Sequence, residues 1–312
     1  MPTRPFRFGV SAPTAESGRD WTKRARRVEQ LGYSILTVPD HFRNQLASVP
    51  ALTAAAVATT RLRVGSLVFC NDFHHPVMLA REAASIDVLS EGRLELGLGA
   101  GWLRSEYEQA GIPLDDARTR VERLEEALTI IKRLLAGERV TFAGRHYSVA
   151  GLAGSSTVQR PHPPILVGGG GRRTLTLAAR EASIVGLVPR SLRDGSGLDR
   201  ADFGEAALRE KIEWVRTAAG ARFESLELNV LIQAVAVTGV PGQRATAADQ
   251  LATRFAVARD LVLETPYVLL GTVDEICETL RQRRERYGIS YLSVFERDME
   301  ALAPVVSRLA GT

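Results

Sequence analysis

The chain has 312 residues, 45% of them hydrophobic and 24% charged, which suits a large core and excludes disorder as the main state. No apolar run is long enough to span a bilayer. Met1 to Val10 lacks the layout of a signal peptide, and two cysteines, Cys70 and Cys277, are too few for a disulfide framework, so the expected location is the cytoplasm. The formal charge is +4, and of the lysines and arginines all but Lys23, Lys132 and Lys211 are arginine. These are spread among glutamates as in Glu122 to Glu126, which argues against a nucleic-acid face.

Short apolar runs alternate with helix-period runs along the chain. Phe6 to Val10 reads as a first strand, followed by a helix over Asp20 to Leu31 that Gly32 ends. Ser34 to Val38 is a second strand, closed by Pro39, and Pro50 to Thr60 an alanine-rich helix. Leu62 to Phe69 is the third strand. Pro76 opens a helix that runs to Ser90, with Gly92 as its stop. Arg93 to Leu98 is the fourth strand. Val121, Leu124, Leu128, Ile131 and Leu135 stripe a helix over Arg118 to Leu135. Arg139 to Val149 reads as a hairpin turning at Ala143-Gly144.

Pro164 to Val167 is a fifth strand, with a helix after Gly171, and Ala182 to Val188 a sixth. Arg190 to Asp202 is polar and glycine-bearing, hence a loop. A helix over Gly204 to Thr217 leads to a long seventh strand, Leu226 to Val237. Pro241 to Pro266 is less regular and includes a helix. Thr272 and Glu275 form a capping box for a helix that Gly288 terminates, and Tyr291 to Phe295 is the eighth strand. Eight strands interleaved with helices fit either a doubly wound sheet or a closed (β/α)₈ barrel, and the count favours the barrel, one domain with insertions. In a barrel, catalytic groups sit at the C-terminal ends of the strands.

Those ends carry the distinctive residues. Asp40 and His41 follow the second strand, a carboxylate beside a group able to exchange protons near neutrality; a turn capped by Asp40 fits the pair about as well. Cys70, Asn71, His74 and His75 follow the third. Their spacing does not support a metal site, His75 suits local packing before Pro76, and Cys70 suits a buried thiol better than a nucleophile. Gly97-Leu98-Gly99-Ala100-Gly101-Trp102 follows the fourth. A dinucleotide fingerprint would need glycine at Trp102, but alternating glycines let a flat ring or a backbone approach closely. Gly168, Gly169, Gly170 and Gly171 follow the fifth strand and lead through Arg172, Arg173 and Thr174 into a helix. Free backbone N–H groups at a helix start, next to two arginines, suit a phosphate.

Together these segments resemble the bacterial luciferase-like flavin and deazaflavin oxidoreductases, from about Phe6 to Phe295. Leu79 to Ser90, Gly92 to Trp102 with Glu106-Tyr107, and Tyr267 to Ile276 are close to that family's wording, most of all in its coenzyme F420-dependent branch. The resemblance implies a luciferase-like TIM barrel as one domain over residues 1–312, with a deazaflavin ring across the mouth. It implies that Asp40 lines the ring and His41 transfers a proton, and that a non-proline cis peptide falls at Leu67-Val68 under the ring. It also places Cys70 and Asn71 at the cofactor edge, and Ala100, Gly101, Ser105 and Gly168 to Arg172 among the cofactor contacts. Trp102 stands where the family's sugar-phosphate dehydrogenases carry a catalytic glutamate, so it reads as a wall of the substrate pocket.

The expected activity is hydride transfer between coenzyme F420 and a small organic molecule. An FMN-dependent monooxygenase shares nearly every motif and stays open; a non-catalytic phosphate-ligand binder is a third reading, against which Asp40, His41 and the full glycine loop argue. A homodimer is expected from the resemblance, and neither nucleic acid nor membrane as a partner.

Overall fold

The computed structural model describes residues 4–239 and 242–312. Eight parallel strands form its centre: β1 (Arg7–Ser11), β2 (Ile35–Val38), β3 (Arg63–Ser66), β4 (Leu94–Gly99), β5 (Ile165–Gly169), β6 (Ile184–Leu187), β7 (Glu227–Leu231) and β8 (Ile289–Phe295). Each pairs with the next, and β8 returns to β1 in register from Arg7↔Tyr291 to Ser11↔Phe295. The doubly wound alternative is excluded, because an open sheet has two edges and this one has none. No helix among the described residues is long and apolar enough to cross a membrane.

The helical punctuation follows the residue chemistry. Ser17 caps the helix Gly18–Gln30, Asp116 caps Ala117–Leu135, and Thr272 with Glu275 forms the capping box of Val273–Tyr287. Gly288 closes that last helix at φ +73°, a conformation costly to any residue with a Cβ. The hairpin Arg139–Ala143 with Ser148–Ala153 turns where the sequence places it.

Two strand expectations need correction. The third run does not continue from Leu62 to Phe69. The ladder stops at Ser66, the Leu67-Val68 peptide is cis, and only Phe69–Cys70 rejoins the sheet, against Leu98 and Gly99. The seventh run is two strands. After β7 the chain leaves the barrel, and Ala234–Val237 pairs instead with Val268–Gly271. Alternating Val and Ala residues suit either ladder, so periodicity could not reveal the change of partner. This outer pair, with the helices Gln243–Phe255 and Arg259–Glu264, builds a small core around Ala248, Leu251 and Val262. Pro241, at the start of the irregular stretch, lies outside the described residues.

Strand alternation divides the apolar residues between two cores. Leu94, Leu96 and Leu98 of β4 join Val185, Leu292 and the helices in the large outer core. Ile35, Leu166, Ile184 and Tyr291 form a separate inner cluster, with Leu67 and Val68 packed against it. Beneath that cluster, at the N-terminal ends of the strands, lies a charged floor. Arg7 donates to Glu95 at 2.6 Å and to Glu227 at 2.8 Å, Arg63 donates to Glu95 at 2.6 Å, and the Arg7 guanidinium lies 4.3 Å from the Tyr291 ring centre. Burial opposes the charge on Arg7, but Glu95 and Glu227 outweigh it and raise its pKa above the ordinary arginine value.

The inward positions of β4 are Glu95, Gly97 and Gly99. A Cβ on Gly97 would lie 1.9 Å from the Ser66 carbonyl oxygen, and one on Gly99 would lie 2.6 Å from a Val68 methyl. These glycines admit the bulge of the third run. Gly97→Ala is therefore expected to lower stability by at least about 3 kcal/mol, the upper end of overpacking costs. Gly18→Ala, at the first helical position of Gly18–Gln30 with nothing within 4 Å of its Cβ position, serves as a near-neutral control. Urea denaturation midpoints of the two variants check this.

Candidate active site at the barrel mouth

His41 lies just beyond β2, with its side chain 30% exposed. Its Nδ1 is 2.8 Å from Oε2 of Glu106, a carboxylate only 5% exposed. A carboxylate has no proton to donate, so Nδ1 carries the hydrogen, and Nε2 bonds no other described residue. Arg43, largely exposed, faces the other oxygen of Glu106 at 3.4 Å. Trp102 stands perpendicular to the imidazole, with ring centres 6.4 Å apart.

Asp40 takes a different direction. Its Oδ2 accepts the Cys70 backbone N–H at 3.0 Å and lies 2.8 Å from His74 Nε2. Asp40 and His41 are therefore not bonded to one another. Adjacent in sequence, the two side chains reach different partners. Each belongs to its own carboxylate–imidazole pair, Asp40 with His74 and His41 with Glu106. Asp40 thus ties the end of β2 to the segment after the cis peptide. His75 Nδ1 accepts from the Val77 N–H and so starts the helix Pro76–Leu89.

Below the mouth runs a buried polar chain. The Cys70 sulfur and the Tyr107 hydroxyl are 3.3 Å apart, Tyr107 donates to Asp72 at 3.1 Å, and Asp72 pairs with Arg123 at 2.8 Å. Burial, then the neighbouring Cys70 and Asp72, push the Tyr107 pKa upward. Burial also pushes the Cys70 thiol up to about 12, against the smaller opposing effect of the Tyr107 hydrogen bond. Asn71 is almost fully buried and donates to the Tyr147 hydroxyl at 3.3 Å. Gly101 has φ +75°, and a Cβ there would lie 1.8 Å from the Tyr107 hydroxyl, so this glycine serves the packing of Tyr107. Ala100 is half-buried beside it, and Ser105 is exposed on the short helix Arg104–Ala110.

The glycine-rich run is divided by its surroundings. Gly168 and Gly169 end β5. A Cβ on Gly168 would lie 3.2 Å from a Val68 methyl, one on Gly169 would meet Thr174 at 2.6 Å, and one on Gly170 would meet the Arg190 backbone at 2.7 Å. Gly171 begins the helix Arg172–Glu181 with no side-chain cap and open space around it. Arg172 and Arg173 are exposed, and neither forms an ion pair among the described residues. Uncapped N–H groups, positive helix potential and two free guanidiniums form a surface that fits an anion. Among the described residues, no three His, Cys, Asp or Glu side chains converge as metal ligands.

Sequence reasoning overlooked Glu106 and His74. Glu106 stands in the motif after β4, but spacing alone gives it no role. The available signal was the helical period: Glu106 falls with Tyr107 three and four positions after the apolar Leu103, on the face the helix Arg104–Ala110 buries, whereas Glu108 falls on the exposed face. His74 was visible as a histidine, but its partner lies 34 positions away.

A closed parallel barrel with carboxylate–imidazole pairs and a glycine-rich turn at the C-terminal strand ends defines the TIM-barrel class of proteins. The chain belongs to the luciferase-like monooxygenase family, whose model matches residues 4–239. Among curated proteins it is 32% identical over 203 residues to an F420-dependent glucose-6-phosphate dehydrogenase of Microbacterium testaceum, covering 62% of this chain and 59% of that one. It is 35% identical over 164 residues to an F420-dependent hydroxymycolic acid dehydrogenase of Mycobacterium tuberculosis, covering 50% and 45%. The chain thus spans only about half to three-fifths of these relatives' lengths. Among solved structures, the coenzyme F420-dependent tetrahydromethanopterin reductase of Methanopyrus kandleri shares the fold, with a TM-score of 0.78 at 16% identity, covering 98% of this chain and 99% of that one. A monooxygenase from Streptomyces bottropensis matches at TM-score 0.72 and 25% identity over 97% of each chain.

The burial of both cysteines has a measurable consequence. Burial raises both thiol pKa values, that of Cys70 to about 12, so both cysteines stay thiols at pH 8. The native protein is expected to leave Ellman's reagent essentially unreacted at pH 8, and to release two equivalents of thiol in denaturant.

Proposed function

We propose that the chain is an oxidoreductase that moves a hydride between coenzyme F420 and a small organic substrate, with His41 as proton donor or acceptor. The His41–Glu106 pair carries this reading. A buried carboxylate fixes the imidazole by Nδ1 and leaves Nε2 for the reacting molecule, the arrangement general acid–base work requires. The similarity to F420-dependent dehydrogenases supports the choice of cofactor.

The residues present fit that cofactor at its anionic end. The open cradle at Gly171, the uncapped helix start, and Arg172 with Arg173 would hold a phosphate. Gly168 to Gly170, Ala100, Gly101 and Ser105, with Leu67, Val68, Cys70, Asn71 and Asp40 on the facing side, are the proposed contacts of the ring and its linker. A bound deazaflavin would supply two-electron hydride chemistry at the mouth.

Trp102 separates this chain from a sugar-phosphate dehydrogenase. Indole has no acid–base capacity near neutrality, so proton transfer falls to His41. Next to His41 in the chain comes Phe42, half exposed, its ring tilted by 33° against that of Phe73 with ring centres 4.3 Å apart. Trp102 stands against the imidazole and the exposed Phe42 follows His41 in the chain, so the proposed substrate has an apolar body.

Parallel titrations with coenzyme F420, FMN and NADPH test the cofactor. Binding is expected for the deazaflavin, whereas micromolar FMN binding without deazaflavin binding would establish the monooxygenase reading in its place. With a turned-over substrate in hand, His41→Asn is expected to lower kcat by about 10²- to 10⁴-fold with cofactor affinity retained. Glu106→Gln is expected to give a smaller loss. Unchanged turnover in His41→Asn would remove His41 from the chemistry.

A further inference from the structure

Lys211, on the helix Glu205–Ala219, has no exposed side-chain surface. Its ammonium pairs with the carboxylate of Asp202, itself 4% exposed. Burial draws the Lys211 pKa down and Asp202 opposes that shift. Burying two charges is costly unless the remaining bonding capacity is used. On Asp202 that capacity is used by the chain itself. Asp202 Oδ2 also accepts the Arg190 backbone N–H at 2.6 Å, and Oδ1 faces Arg190 Nε at 3.3 Å. Arg190 and Asp202 are the two ends of the loop after β6. One carboxylate, neutralised from below by Lys211, clasps both.

The loop touches the mouth at two places. At its base, the Arg190 backbone lies against Gly170, leaving no room there for a Cβ. At its tip, Gly195 takes φ +72°, and a Cβ would lie 2.6 Å from the Trp102 carbonyl oxygen. The Gly195 and Asp194 carbonyls accept the Arg104 backbone N–H at 3.1 Å and its Nε at 2.6 Å. One loop therefore braces both the glycine-rich turn after β5 and the Trp102 segment after β4.

We propose that Lys211 and Asp202 form a buried latch that sets the position of the loop 190–202, and through it the Trp102 wall and the glycine-rich turn. Lys211 is then a positioning residue for the mouth. The latch rests on the proposed function only in naming those segments as substrate wall and phosphate turn; the bracing stands without it.

Hydrogen exchange on the full chain tests the latch. In Lys211→Met, peptides covering 101–105, 168–173 and 190–204 are expected to exchange at least about tenfold faster, with β1 and β7 unchanged. The double variant Asp202→Leu with Lys211→Met removes both buried charges. It is expected to recover the denaturation midpoint while keeping fast loop exchange, because the Arg190 N–H has lost its acceptor. A uniform acceleration over the whole chain in Lys211→Met would overturn the proposal. So would wild-type loop exchange in the double variant, which decides the matter alone if Lys211→Met does not fold. Failure of the wild-type protein to bind deazaflavin would count against the proposed cofactor and leave the exchange result intact.

Discussion

An eight-stranded parallel barrel encloses a space that side chains must fill. Here it is filled in layers. Charges close the floor through Arg7, Arg63, Glu95 and Glu227. An apolar layer of Ile35, Leu166, Ile184 and Tyr291 lies above, and the bulge at Leu67 and Val68 covers it. Nearly everything at the mouth depends on that bulge. Gly97 and Gly99 are small because Ser66 and Val68 press against them, and Gly168 lies within reach of the same valine. Asp40 fastens the segment that follows through the Cys70 N–H.

On this support the mouth separates two tasks that the sequence places side by side. Asp40 and His74 fix the backbone after the bulge. Glu106 and His41 present an oriented imidazole. Had Asp40 held His41 directly, one carboxylate would have had to serve both the architecture and the chemistry. Dividing the tasks keeps the proton exchange proposed for His41 apart from the contacts that hold the segment after the bulge.

The barrel was legible in the sequence because its signals are local. Strand runs, capping residues and glycine stops each reflect a few adjacent residues, as Thr272 with Glu275 shows. What stayed hidden depends on partners distant in sequence. Ala234 to Val237 alternates as a barrel strand would, and only the presence of Val268–Gly271 pulls it away. The glycines after β4 and β5 suggest room for a ligand, yet Gly97, Gly99, Gly101 and Gly170 each admit a neighbour from the protein itself, whereas Gly171 opens onto free space. The candidate site was legible at His41, but its orienting carboxylate lies 65 positions away, beyond the reach of any spacing rule.

The hairpin Arg139–Ala143 with Ser148–Ala153 looks like an ornament outside the β/α repeat. Yet Tyr147 at its turn takes the Asn71 amide, and its ring meets the edge of His75, with ring centres 5.5 Å apart. Glu126 accepts the backbone N–H groups of Arg145, His146 and Tyr147, which anchors the turn to the helix Ala117–Leu135. An excursion that looks expendable therefore reaches Asn71 and His75, in the segment that Asp40 fastens after the bulge. A graft onto this barrel that replaced the hairpin and kept the segment after the bulge would leave Asn71 without its partner.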